Sequence, residues 1–296
     1  MSVVKEKIGL IGAGIMGLPM GLNLLKAGYD VSVYARRKEA AQALIDKGSR
    51  FYETAKKLAE NVDIIISIVS DTVDVEEVLL GDKGVIRAKN PASLVIDMST
   101  ISAIKTREIA AELQKKNIHM LDAPVSGGDV GAENATLTIM VGGNKNDLQR
   151  AMPIFEVLGS NITHIGDTGA GQIAKSCNQT IVAQTMVAVS EAFHLAEASG
   201  VDPAKVREAL LGGFAYSKIL DIHGQRMLDN NYQPGFKTHL HRKDMNIVCN
   251  ISEILELNLE GTELATGYLN RLVELSFGEL DSAAIHKVIK GNSINS

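Results

Sequence analysis

The stretch Lys7-Ile8-Gly9-Leu10-Ile11-Gly12-Ala13-Gly14-Ile15-Met16-Gly17 decides how this chain is read. An apolar run long enough for one strand ends in G-x-G-x-x-G, and a helical pattern follows from Met16 to Ala27. At a strand-to-helix turn each glycine has its own reason. Gly12 permits the tight turn, Gly14 lets a pyrophosphate approach the backbone, and Gly17 lets helix and strand pack closely. The helix start adds unpaired N–H groups and about half a positive charge toward phosphates. The same residues also imitate a leader, because Ile8 to Leu25 carries no charge behind Lys5 and Lys7. Five glycines, Pro19 and Asn23 are poor material for a membrane helix or signal peptide. A soluble chain without a targeting segment is expected.

Outward from this turn, strands are predicted at Lys7–Ile11, Val31–Tyr34, Asp63–Val69, Leu94–Asp97, Ile118–Asp122, Leu137–Val141 and Ile162–Ile165. Helical patterns lie between them at Glu39–Lys47, Ala103–Lys116 and Asp147–Leu158. This alternation predicts an α/β doubly wound (Rossmann) domain, a parallel sheet joined by right-handed crossovers. The run from Ile64 to Val69 does not alternate, as a strand buried on both faces requires. Strand-like runs stop after Gly166. Gln172 to Ser199 holds no Pro or Gly, so a long buried helix is predicted, ended by Gly200. Asp202-Pro203 opens the next helix. Further helical patterns lie at Ala204–Leu211, Lys218–Asp229, Leu240–Leu257, Glu263–Phe277 and Ser282–Lys290. The expected organisation is a dinucleotide-binding domain over 1–166 and an all-α domain over 167–296, joined by the long helix.

Composition sets outer limits. The 296 residues suit two domains. Thirty Lys and Arg against 35 Asp and Glu leave a net charge of −5, which argues against a basic face for nucleic acid. Cys177 and Cys249 form no disulfide framework and match no zinc spacing, which points to a reducing compartment, the cytoplasm. His239 and His241 stand two apart and leave a helix in different directions, so no metal is expected. Cys177, Met16 and Met20 are read as packing residues, and Glu76-Glu77 as a solvated helix face.

Three further segments bear on chemistry. The second strand ends in Val33-Tyr34-Ala35-Arg36-Arg37. The acid that holds the adenosine ribose of NAD is missing there, and the two guanidiniums suit the 2′-phosphate of NADP. NADP is therefore expected ahead of NAD; the alternative is that Arg36 and Arg37 form a solvated pair. Asp122-Ala123-Pro124-Val125-Ser126-Gly127-Gly128 follows a strand, and its glycine amides make either a nest for a carboxylate or an ordinary turn. Gly169 to Gln179 opens the long helix, with Lys175 and Asn178 three apart on one face. Helix N–H dipoles and burial disfavour an ammonium and suit a proton donor; the other reading of Lys175 is a solvated lysine.

The glycine turn Ile11–Gly17, the Asp122–Gly128 loop, Gly169–Asn178 and Pro234-Gly235-Phe236 through Lys243-Asp244 occur in this order along nearly the whole chain. In these four motifs it resembles the β-hydroxyacid dehydrogenase family, whose members include 3-hydroxyisobutyrate dehydrogenases and semialdehyde reductases. Gly212-Gly213-Phe214-Ala215 through Asp244 is most similar to the branch that reduces tartronate semialdehyde (2-hydroxy-3-oxopropionate) to glycerate.

The resemblance implies an NAD(P)-dependent oxidoreductase with Lys175 as catalytic lysine and Ser126, Gly127 and Gly128 around the substrate carboxylate. It implies substrate contacts for Asn178, Gln179, Phe236 and Asp244. Cofactor contacts are Gly12, Ala13, Gly14, Ile15, Met16, Gly17, Ala35, Arg36, Arg37, Val69, Ser70, Thr100 and Lys243. A dimer or tetramer is expected on the same ground. This chain departs from the family at Ala135, where glycine is common, at Val69-Ser70-Asp71, where Leu-Pro is usual, and at Gln179, where many relatives have asparagine.

The alternatives are another acid of the same family, such as 3-hydroxyisobutyrate or succinic or glyoxylic semialdehyde, and a nucleotide sensor without turnover. An imine reductase of this architecture usually lacks the lysine that this chain retains.

Overall fold

A computed structural model describes residues 5–291. Nine strands lie within them: β1 Ile8–Ile11, β2 Val31–Tyr34, β3 Arg50–Phe51, β4 Ile64–Ser67, β5 Leu94–Asp97, β6 His119–Asp122, β7 Val125–Ser126, β8 Leu137–Gly142 and β9 Gly159–Gly166. They form one sheet in the order β3-β2-β1-β4-β5-β6-β8-β7, with β9 paired to β8. Strands β1 to β6 run parallel. Their order is that of a doubly wound dinucleotide fold, and the strand order reverses between β1 and β4, the position where such sheets bind ligands.

Between the strands lie α1 Gly17–Lys26, α2 Gln42–Asp46, α3 Ala55–Ala59, α4 Thr72–Leu80, α5 Ala103–Gln114, α6 Gly128–Glu133 and α7 Lys145–Leu158. The sheet is not parallel throughout, as the alternation implied. β8 runs antiparallel to both β6 and β7. The only helix between β7 and β8 is the six-residue α6, about 9 Å long, too short to carry the chain back along the sheet for a parallel return.

Two apolar layers explain the unalternating strands. Ile64 and Ile66 pack with Ile8, Leu10, Leu94, Ile96, Met20 and Phe155 on one face. Ile65 packs with Ile11, Val95, Leu58, Val75 and Ile109 on the other. Each of these side chains contributes roughly 1.5–3 kcal/mol by leaving water. Met20 is fully buried, and Met16 packs partly against the first layer, as expected.

Contacts divide the chain inside α8 Ala170–Ala198, into one unit up to Lys175 and another from Ser176. The second unit continues with α9 Pro203–Leu211, α10 Lys218–Leu228, α11 Thr238–Ile254, α12 Glu260–Glu274 and α13 Ile285–Ile289. Asp202 caps α9 by accepting from the Ala204 N–H at 2.9 Å, with Pro203 in the first turn, as the sequence predicts. Ala183, Met186, Val187 and Phe193 of α8 pack with Leu220, Met245, Val248 and Leu269. Against the expectation of a buried helix, α8 is buried on one side only: Ile181 and Leu195 are 67% and 69% exposed. Cys177 is also exposed, against the expectation that it packs. Among the described residues no helix is long and apolar enough to cross a membrane.

Candidate active site

The three glycines of the first turn differ as their proposed roles require. Gly12 has φ +101°, and a Cβ there would stand 2.2 Å from the Ile68 carbonyl oxygen. A Cβ on Gly17 would stand 1.9 Å from the Gly12 carbonyl oxygen. Gly14 is exposed, and a Cβ on it would meet nothing within 4 Å. Two glycines close the turn and the third leaves a cradle that any side chain would fill. The cradle fits a pyrophosphate.

A cleft continues from this cradle. It is lined by Gly12, Ala13 and Gly14, by Ala35, Arg36 and Arg37 at the end of β2, and by Val69 and Ser70 after β4. Asp74 and Glu77 of α4 line it too, which the spacing of the sequence did not reveal. Arg36 Nη1 lies 3.2 Å from Asp74 Oδ1. Arg37 makes no ion pair among the described residues. Glu77 is solvent-exposed as expected, and Glu76 lies 3.7 Å from Lys105.

A buried polar network joins the loops at the carboxyl ends of β4 and β5. Asp97 Oδ1 accepts from Ser67 Oγ at 2.9 Å and Ser99 Oγ at 2.7 Å. Ser99 Oγ in turn accepts from the Val69 N–H at 2.9 Å. Gln172 of α8 donates to the Ser99 carbonyl at 2.8 Å and accepts from the Ile101 N–H at 3.1 Å, so Thr100 is held between two clamped neighbours. Burial pushes the Asp97 carboxyl up to about 6, against the pull of the Ser99 and Ser67 hydrogen bonds.

The start of α8 is fixed by the strand that leads into the substrate loop. Asp122, at the end of β6, accepts from the Gly169 N–H at 2.7 Å and the Gln172 N–H at 3.0 Å. Burial raises its pKa, and these backbone donors oppose the rise. Gly169 needs its φ of +88°, and a Cβ on Gly171 would stand 2.4 Å from the Met140 carbonyl oxygen. One turn on, Lys175 is only 8% exposed. Just past Asp122, Ser126 is half-buried, and Gly127 and Gly128 are exposed with φ +139° and +65°.

In the helical unit a polar chain brings four of the expected residues together. Asn178 donates to Gln179 at 2.7 Å, Gln179 donates to Asp244 Oδ2 at 2.6 Å, and Lys243 Nζ lies 2.9 Å from Asp244 Oδ1. Phe236 packs against His241 with ring centroids 5.3 Å apart. The loop carrying Phe236 is held by Asp281, which accepts from the Gly235 and Phe236 N–H groups at 3.0 Å each. Burial pushes the Asp281 carboxyl up, but the hydrogen bonds from His223 and from the Phe236 and Ala283 N–H groups win and hold it down at about 2. His239 bonds the Gly278 carbonyl, and no cluster of metal-ligating groups occurs among the described residues.

Comparison with known proteins agrees with this geometry. The family model described as the NAD binding domain of 6-phosphogluconate dehydrogenase matches residues 7–166. That described as NAD-binding of NADP-dependent 3-hydroxyisobutyrate dehydrogenase matches 169–289. The chain is 43% identical to the 2-hydroxy-3-oxopropionate reductase of Escherichia coli (strain K12), over 96% of its own length and 97% of the relative's. It belongs to the 3-hydroxyisobutyrate dehydrogenase-like family. Another member, the NAD-dependent L-serine dehydrogenase of Pseudomonas aeruginosa, is 33% identical over 96% of the chain and 97% of its own. The 3-hydroxyisobutyrate dehydrogenase of Mycobacterium tuberculosis, solved with L-serine, superposes with a TM-score of 0.88 at 30% identity, covering 97% of this chain and all of that one. Membership of this dehydrogenase family makes the chain an NAD(P)-dependent oxidoreductase.

Proposed function

We propose that this chain reduces 2-hydroxy-3-oxopropionate to glycerate, working with NADPH in preference to NADH, and runs in reverse as a 3-hydroxyacid dehydrogenase. The observation that carries the reading is the burial of Lys175 one turn into α8, behind a helix start tied by Asp122 to the strand entering Ser126-Gly127-Gly128. A solvated surface lysine does not have that environment. The Escherichia coli relative supports the choice of acid.

The Gly12–Gly17 turn would hold the pyrophosphate, and Ala35, Arg36 and Arg37 the adenosine end, with Val69, Ser70 and Thr100 on the following loops. Ala35 sets no carboxylate against a 2′-phosphate, and Arg37 has donors to offer it. When bound, a reduced nicotinamide would supply the hydride for the carbonyl carbon. The Lys175 ammonium donates its proton to the carbonyl oxygen in reduction, and the amine takes one from the hydroxyl in oxidation. Ser126 Oγ and the Gly127 and Gly128 N–H groups hold the substrate carboxylate, which fixes the carbonyl's direction. Asn178, Gln179, Phe236, Lys243 and Asp244 are the helical unit's candidates for substrate and nicotinamide contact.

The test is a panel of 2-hydroxy-3-oxopropionate, methylmalonate semialdehyde, succinic semialdehyde, glyoxylate and L-serine with both cofactors, in wild type and Lys175→Ala. The highest kcat/KM is expected with the first acid and NADPH. Loss of the proton donor should cut kcat by about 10²–10⁴ with nucleotide Kd nearly unchanged. Full turnover in Lys175→Ala removes the lysine from the mechanism. Nucleotide binding with no turnover of any acid leaves a nucleotide sensor instead.

A further inference from the structure

We infer that Asp74 is a specificity-determining residue, acting as a brake on the 2′-phosphate that keeps this chain's preference for NADPH small. The inference rests on the nucleotide reading of the cleft given above. In a doubly wound fold the end of β2 faces the adenosine ribose, and a carboxylate there selects NAD by bonding the ribose and repelling a phosphate. This chain has Ala35 at that position, so β2 supplies no such group. The cleft is nonetheless not without one, because α4 brings Asp74 and Glu77 to its wall.

Asp74 is the more consequential of the two. Its side chain is 17% exposed, whereas that of Arg36 is 70% exposed, and the two lie 3.2 Å apart. Arg36 is thus not poised as an open cation; part of its guanidinium is engaged before any nucleotide arrives. Two arginines against two carboxylates leave the cleft electrically balanced. A 2′-phosphate with up to two negative charges gains one unengaged guanidinium, that of Arg37, and meets Asp74 beside the other. Asp74 also stands in the first turn of α4, where a carboxylate stabilises a helix on its own account. That role alone would leave cofactor preference untouched.

The experiment titrates wild type and Asp74→Asn with NADPH, NADH, 2′,5′-ADP and 5′-AMP, by calorimetry and by nicotinamide fluorescence. Removing one negative charge from the cleft wall beside Arg36 should raise the NADPH-to-NADH affinity ratio about fivefold to tenfold. The ratio for the two fragments should move alike, and the gain should shrink at high salt. An unmoved ratio overturns the inference. So does a ratio that falls, which would mean that Asp74 holds Arg36 in place for the phosphate. Failure of wild type to bind either dinucleotide sinks the cofactor reading itself, and is told apart because the ratio is then undefined.

Discussion

A single methyl group separates the roles of neighbouring glycines in this molecule. On Gly14 it enters open space, so Gly14→Ala should leave the melting temperature within a degree or two and weaken dinucleotide binding at least tenfold. On Gly17 it runs into the Gly12 carbonyl, so Gly17→Ala should cost roughly 1–3 kcal/mol or more of folding stability, the scale of overpacking. Denaturant unfolding and nucleotide titration of both variants check the pair. The reverse pattern would show that the turn is not the cradle described. Ala135 offers the opposite case. It sits at φ +56°, a left-handed conformation that disfavours any Cβ. Ala135→Gly should therefore raise stability by about 1 kcal/mol. A fall in unfolding midpoint would show that the neighbours of Ala135 have adapted to its methyl group.

At the scale of elements, the start of α8 does the most positioning. Asp122→Asn would turn an acceptor of two N–H groups into a side chain with one amide facing a backbone donor. Leaving such a buried pair unmet costs about 1–3 kcal/mol. The melting temperature should fall, and kcat should fall with it, because Lys175 rides on that helical turn. A variant with lowered stability but unchanged kcat would show that the lysine is placed by other contacts. The motifs here were legible in the sequence because glycines and a lysine at fixed spacing carry their reasons with them. Asp122 reads in the sequence as part of a loop, yet its capping of α8, 47 residues on, depends on which strand lies beside which helix. The same holds for Gln172, whose side-chain amide reaches the β5 loop, and for Asp74, an ordinary first-turn acid until the fold sets it beside Arg36. Strands of four or more residues were readable as apolar runs, and every helix from α8 to α12 from its helical pattern and the Gly and Pro that bound it. β3 and β7, at two residues each, and the five-residue α3 are too short to show any period.

For the whole molecule, two buried groups make stability depend on pH in opposite senses. Burial, helped by Lys290 and opposed by Glu197, holds His286 down at about 4, while an unfolded histidine titrates near 6.5. Its stabilising effect is complete above the unfolded value and is lost as pH falls toward 4, roughly 3 kcal/mol in all. Asp97 is raised to about 6 by burial, so its favourable effect is complete below about 4 and is lost as pH rises through 6, again roughly 3 kcal/mol. Asp97 belongs to the sheet unit and His286 to the helical one. Calorimetry between pH 4 and 7 should find the sheet unit weakening with rising pH while the helical unit strengthens. Asp97→Asn should flatten the first trend and His286→Phe the second; a slope that survives its substitution would show that another group carries it.

The strand β9 has a consequence of a different kind. Its eight residues contain no Lys, Arg, Asp or Glu, and among the described residues it pairs with β8 alone. In the folded chain two register shifts against β8 twist it, a common defence of an open sheet edge. A chain still assembling β8 and β9 lacks that defence and offers an uncharged template for strand addition. Losses to aggregation during refolding should therefore begin at this strand and rise with protein concentration. A lysine in place of the exposed Thr163 is the smallest change that would blunt it.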